Sequence, residues 1–105
     1  MNSRVRIRPQ ALRDLTEQGA YLAENAGLET ALRFYEAAEE TFRLLAAHPE
    51  MGRAREFRNP RLAGVRMCLI KGFGKHLIFS RRTKDGVEIV RVMHGARDIE
   101  KLFDG

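Results

Sequence analysis

The stretch Val87-Glu88-Ile89-Val90-Arg91-Val92-Met93-His94-Gly95-Ala96-Arg97-Asp98 decides how the rest of the chain is arranged. Its first part is dense in valine and isoleucine, which suit a pleated, buried surface, and the pattern stops at His94-Gly95. A strand is expected from Val87 to His94, followed by a short charged tail to Gly105. The strand supplies core. His94, Arg97 and Asp98 stand at its end, either as an acid–base set or as part of a binding surface.

Working outward, Lys84-Asp85-Gly86 is a strong hairpin signal, because Asp and Gly tolerate the positive φ that tight turns use. His76 to Arg82, with Leu77-Ile78-Phe79 at its centre, reads as the preceding strand. Lys71-Gly72-Phe73-Gly74-Lys75 reads as a glycine-rich turn and Val65 to Ile70 as a further strand. Three strands with such short connections form an antiparallel meander. Residues 49–64 hold two prolines, two glycines, Arg53, Arg55, Arg58 and Arg61, and read as loop.

Nearer the N-terminus the rhythm changes. Residues 3–8 alternate Val5 and Ile7 with Arg4, Arg6 and Arg8, a strand whose charges suit a sheet edge. From Gln10 to about Asn25, Leu12, Leu15, Gly19, Leu22 and Ala26 recur every three or four residues, one face of a helix. Asp14 and Glu17 sit toward its positive end, and Gly27 is expected to stop it as a left-handed cap. Leu28, Ala31, Tyr35, Ala38, Phe42 and Leu45 repeat the rhythm, widened by Leu32 and Phe34, until His48-Pro49. Two helices so closely joined pack as an antiparallel hairpin. The order β-α-α-β-β-β predicts an α+β fold, a helical hairpin on one face of a small, mainly antiparallel sheet. The partner of the first strand stays open at this level.

At 105 residues the chain has room for one domain, taken as 1–105, and 44% hydrophobic residues suffice for a modest core. No apolar run approaches the roughly 18 residues of a membrane span, and the arginine-bearing start is not a signal peptide. The single cysteine, Cys68, sits in an apolar run as a small core thiol, and a cytoplasmic protein is the expectation. The net charge is +5, unevenly spread. Residues 10–50 carry three arginines against eight acids, whereas residues 53–82 carry nine Lys or Arg against Glu56 alone. Such a basic block suits an anionic partner, nucleic acid or an acidic protein segment.

The candidate chemistry is narrow. His48, His76 and His94 lack the close second ligand of a zinc site, so no metal is expected. The Gly72-Phe73-Gly74 loop opens no helix and is not a phosphate cradle, and no nucleophile elbow is present. Cleavage of RNA by its own 2′-hydroxyl would need an acid, a base and cations, for which Arg66, Arg81, His94 and Arg97 are the right residue types. Both tyrosines, Tyr21 and Tyr35, lie instead on the helices. The other course is protein binding, in which the basic sheet receives an acidic, amphipathic segment of another chain.

The chain resembles the ParE toxins of the RelE/ParE superfamily. The resemblance rests on Ala11-x-x-Asp14-Leu15, Tyr21-Leu22-Ala23, Ala31-x-x-Phe34, Leu45-x-x-x-Pro49-x-x-Gly52-Arg53, Gly64-Val65-Arg66 and Val90 to Asp98, in that order. It implies a toxin of a type II toxin–antitoxin pair, with the β-α-α-β-β-β fold, no cofactor, and a ParD-like antitoxin that wraps and silences it. For the ParE branch it implies DNA gyrase as target, engaged by protein–protein binding rather than catalysis, with no direct nucleic-acid contact expected. Arg53, Arg55, Arg58, Arg66 and Arg81 are then the expected antitoxin-binding residues, and His94, Arg97, Leu102 and Phe103 the target-binding ones. The RelE branch cleaves messenger RNA in the ribosome. Arg66, Arg81 and Arg97 would be the equivalents of its basic cluster, with His94 replacing its late tyrosine.

Overall fold

The computed structural model describes residues 4–95. The tail from Ala96, with Arg97, Leu102 and Phe103, lies outside the described residues, as does Ser3 at the expected start of the first strand. The elements are β1 (Arg4–Ile7), α1 (Pro9–Ala26), α2 (Leu28–Ala47), β2 (Arg53–Ala54), β3 (Arg66–Ile70), β4 (Phe73–Arg82) and β5 (Gly86–His94). The strands form one sheet in the order β1-β5-β4-β3-β2. β3, β4 and β5 are the expected antiparallel meander, and β1 pairs parallel to β5 with Val5 opposite Val87. The arginine-bearing first strand is therefore an edge, as its charges suggest.

Local sequence explains the helix ends. Pro9 opens α1 from an extended Arg8, since proline is pre-set for the first helical position and lacks only an N–H that would be orphaned there. A single residue, Gly27, separates the helices, with φ 96° and ψ 155°. The φ is positive as expected, but the ψ is extended rather than left-handed helical, so the chain reverses at once. α2 runs to Ala47 and breaks at His48, which Pro49 forces out of the helical region.

The buried face of α2 follows most of the expected stripe, whereas that of α1 is turned from it toward Asp14. The buried residues of α1 are Ala11, Asp14 and Gly19, with Leu15 and Leu22 packed at the margin, while Leu12 is 54% exposed. Asp14 therefore does not serve the helix dipole; it points into the sheet. In α2 the buried face runs Ala31, Phe34, Ala38, Thr41, Phe42, Leu45 and Ala46, and Leu28 and Leu32 stay exposed. Polar residues can displace leucines from a core face when the sheet supplies their hydrogen bonds.

Three further expectations change. The turn at residues 71–75 contracts to Lys71-Gly72, because Ile70 pairs directly with Phe73, whose ring packs edge-on to Phe34 at 5.4 Å. Gly86 does not carry the positive φ assigned to it. It is needed because β1 crosses so closely that a Cβ there would lie 2.0 Å from the Arg4 carbonyl oxygen. Residues 49–64 are not only loop. Arg53 and Ala54 form β2 against β3, and Pro60–Leu62 make a 3-10 turn capped by the Asn59 side chain, which accepts from Arg61 N–H at 3.0 Å.

The sheet is covered on both sides. Toward the helices, Phe34, Phe42, Leu45, Ile70, Ile78, Val87, Ile89 and Val92 form the main core. On the opposite face Leu62, Val65, Leu77, Phe79, Val90 and Met93 form a second one, roofed by the segment around Phe57. A bulge in the β4–β5 pairing makes Val90 an extra residue. That shift re-phases β5, so Ile89 and Val92 reach one core while Val90 and Met93 reach the other.

Candidate functional site

Arg91, next to the bulge, continues the Val87–Ile89 alternation onto the helix face and reaches α1. Its Nε donates to Asp14 Oδ2 at 2.7 Å and its Nη2 to Oδ1 at 3.0 Å. The Val92 N–H donates to Oδ2 at 3.1 Å, and Gln10 Nε2 donates to Oδ1 at 2.9 Å. Burial alone would raise the Asp14 pKa. The hydrogen bonds from Arg91, Gln10 and Val92 outweigh it and hold the carboxyl below its usual 3.8. One turn on, Gln18 Nε2 donates to the Val92 carbonyl at 2.9 Å. Its Oε1 then faces His76 Nδ1 at 2.8 Å, so Nδ1 carries the proton. Asp14 and Gln18 thus tie α1 to β5 along a polar seam.

That seam leads to the end of β5. His94 lies directly opposite His76, their rings 4.6 Å apart and tilted by 31°. His76 is 7% exposed and packs on Phe34 at 4.7 Å, whereas His94 faces solvent. Glu17, Gln18, Tyr21, His76 and His94 line a pocket of about 290 Å³ between α1 and the strand ends. Burial, assisted by the neighbouring His94, pushes the His76 pKa down to about 4. Acid stability is expected to follow. The unfolded His76 binds its proton near pH 6.5 and the folded one only near 4, so stability is complete above 6.5 and falls as pH drops between those values. The loss is at most about 3 kcal/mol. Urea melts at pH 7.0, 5.5 and 4.5 should show it, and His76→Phe should flatten the profile in that window.

Among the described residues, the basic candidates Arg66 and Arg81 do not gather around His94. His76 and Arg81 both lie on β4, which the strand rise spaces by about 17 Å. Arg66 pairs with Ser80, the residue before Arg81, so the pleat sends Arg66 and Arg81 to opposite faces of the sheet. Both are turned to their own chain. Arg66 Nη1 donates to the carbonyls of Glu50 at 3.2 Å and Gly52 at 2.9 Å, fixing the approach to β2. Arg81 Nη2 donates to the Arg61 carbonyl and holds the 3-10 turn. Arg53, Arg55 and Arg58 are exposed at the β2 edge, where the Arg55 guanidinium lies 5.6 Å from the centre of the Phe57 ring. Arg97, Leu102 and Phe103 lie outside the described residues. Among the described residues, no three His, Cys, Asp or Glu side chains are placed to share a metal ion, and no helix is long and apolar enough to cross a membrane.

Gln18, His76 and the Asp14–Arg91 pair escaped the sequence pattern. A signal existed for His76, because alternation along β4 puts it on the side of Ile78. Gln18 falls between Leu15 and Leu22 at stripe spacing but, being polar, is not counted, and Asp14 lies off the leucine stripe.

The comparisons with known proteins bear on the family and the fold. The family model of the ParE toxin of type II toxin–antitoxin systems, parDE, matches residues 5–99. The Toxin ParE1 of Caulobacter vibrioides is 35% identical over 89 residues, covering 85% of each chain. A chain of the chromosomal ParDE TA system from P. aeruginosa superposes with a TM-score of 0.72 over 90% of this chain and 97% of that one. At 19% identity that likeness speaks to the fold. By the span of the family match and the identity to a curated relative, the chain belongs to the ParE toxin family of type II toxin–antitoxin systems.

Proposed function

We propose that this toxin acts by binding DNA gyrase and that a cognate ParD-type antitoxin silences it. Family membership supports the pairing with an antitoxin, since the family description names parDE and the solved neighbour is a ParDE system. The observation that carries the non-catalytic mechanism is the scattering of Arg66, Arg81 and His94. Acid–base cleavage of RNA needs its acid, base and cations within hydrogen-bond reach of one phosphodiester. These three are divided between two faces and two ends of the sheet, and two of them are engaged in holding loops.

Target contact is assigned to the end of β5, where His94 and the exposed Tyr21 flank the pocket and the chain continues toward Arg97, Leu102 and Phe103. Antitoxin contact is assigned to the β2 edge. Of the five arginines expected there, Arg53, Arg55 and Arg58 are exposed, Arg55 also lies against the Phe57 ring, and Arg66 and Arg81 donate to loop carbonyls.

The deciding experiment adds the purified protein to a gyrase supercoiling reaction and, in parallel, to a translating extract. Blocked supercoiling with intact mRNA, relieved by the antitoxin, is the expected result. Codon-phased mRNA cuts that disappear in His94→Ala would overturn the mechanism. Reversing Arg53, Arg55 and Arg58 to glutamate is expected to slow antitoxin association about tenfold at low salt, because exposed charges act mainly on encounter. Stopped-flow association at two salt concentrations measures it.

A further inference from the structure

A second cleft lies on the face of the sheet away from the helices. It encloses about 520 Å³ and is lined by Arg8, Asn59, Arg61, Leu62 and Arg81. The three guanidiniums come from three separate parts of the chain: the β1–α1 junction, the 3-10 turn and β4. Like charges around one concavity repel, so a fold that gathers them needs an anion to offset the cost. Glu88, opposite Arg81 in the sheet, supplies one carboxylate and accepts from Arg8 Nη2 at 3.0 Å. That leaves an excess of two positive charges. Arg81 Nε is buried with no acceptor among the described residues, so the charge of this guanidinium is only partly offset by its own chain. Arg8 is also the N-cap of α1 and gives it no side-chain acceptor, so the positive end of the helix dipole adds to the field.

From this geometry we infer that the Arg8–Arg61–Arg81 cleft is a phosphate-binding site, taking the phosphate of a nucleotide or of a nucleic-acid strand without performing chemistry on it. A lone carboxylate is satisfied by one guanidinium fork, and Glu88 already takes one N–H of Arg8. Arg61 offers its whole fork, while Arg8 and Arg81, each holding one contact within the chain, add charge and their remaining N–H groups, a set that suits an oxyanion with three or four acceptor oxygens. The volume falls in the range of small-ligand sites and leaves room for a sugar or base beside the phosphate, where Leu62 offers apolar surface. The site lies away from the β5-end surface, and the inference holds or fails separately from the gyrase mechanism.

The test uses the full chain. Calorimetric titration with inorganic pyrophosphate is expected to show one site, and Arg61→Gln to weaken it about tenfold. Arg61 is the position to change because its side chain is exposed, and thermal melts confirm that the variant folds. Arg61→Lys, which keeps charge but loses the fork, should fall between the two. Arg33→Gln, an equal loss of charge on α2, should bind as wild type does. Competition by a nucleoside diphosphate alone marks a nucleotide site. Competition by a single-stranded or duplex oligonucleotide, with a salt slope reduced by about one in Arg61→Gln, marks a strand. Equal weakening by Arg33→Gln, no effect of Arg61→Gln, or binding of a poly-glutamate peptide as tight as pyrophosphate would each overturn the inference.

Discussion

Gly86→Ala is expected to strip β1 from the sheet. The added Cβ would lie 2.0 Å from the Arg4 carbonyl oxygen and 2.6 Å from the Arg4 nitrogen. Both are backbone atoms, so no side-chain rotation relieves the clash, and β1 must move away from β5. That motion breaks the parallel pairing from Arg4 to Ile7, pulls Val5 off the main core and disturbs the Arg8 N–H to Ile89 carbonyl bond at 3.1 Å. The cost belongs at the upper end for overpacking, about 3 kcal/mol. In a domain of this size that lowers Tm by roughly 15 °C. Thermal unfolding measures the cost, and hydrogen exchange at the Val5 to Ile7 amides localises it. Gly74→Ala is the control: it meets no atom within 4 Å and should change stability by less than about 0.5 kcal/mol. A Gly86→Ala protein that melts with wild type and keeps its β1 amides protected would show that the strand does not pair as described.

Asp14→Ala is the second large effect. The carboxylate is 6% exposed and is the acceptor for Arg91, Val92 N–H and Gln10. Removing it leaves a guanidinium and a buried N–H without an acceptor at the α1–β5 contact. Breaking a buried pair by deleting one partner costs about 3–5 kcal/mol. The lower end applies here, because the Arg91 side chain keeps 24% of its exposure and can turn to water. Asp14→Asn retains an acceptor for Val92 N–H and should cost about half as much. Chemical denaturation at pH 7 would give both values. The same carboxylate leaves a trace in acid. Its folded pKa lies below 3.8, so its contribution is complete above that value and is lost as pH falls beneath it. The Asp14 limb therefore lies below the His76 window, and Asp14→Ala should abolish the first while leaving the second.

How far the sequence reached is clearest on β5. Valine and isoleucine density placed the strand between residues 87 and 94, and the observed Gly86–His94 differs by one residue. The adjacent hairpin follows from Asp85-Gly86, although for another reason than turn geometry: Gly86 serves the crossing of β1. On α1 the spacing of leucines gave the helix and its length but a phase rotated by about half the stripe's width: Leu15, Gly19 and Leu22 meet the core as expected, while Leu12 faces solvent and Asp14 the sheet. Hydrophobic periodicity counts apolar residues only, and here two of the buried contacts are polar. The site fared likewise. His94 stands at the strand end as expected, while its partner His76 and the anchoring Gln18 emerge only when β4, β5 and α1 are brought together.

The sequence by itself determined the order of the main elements, though not β2 or the 3-10 turn, together with the helical hairpin, the strand meander and the family. Each depends on residues within a few positions of one another or on motifs at fixed spacing. Tertiary structure alone decided that β1 lies parallel to β5, that a bulge at Val90 divides one strand between two cores, and that Asp14 meets Arg91. It also separated Arg66 from Arg81 across the sheet and gathered Arg8, Arg61 and Arg81 into one cleft. These features join residues as much as 82 positions apart, as in Arg4 and Gly86, and depend on pleat, register and close backbone approach. Local periodicity carries no record of such pairings.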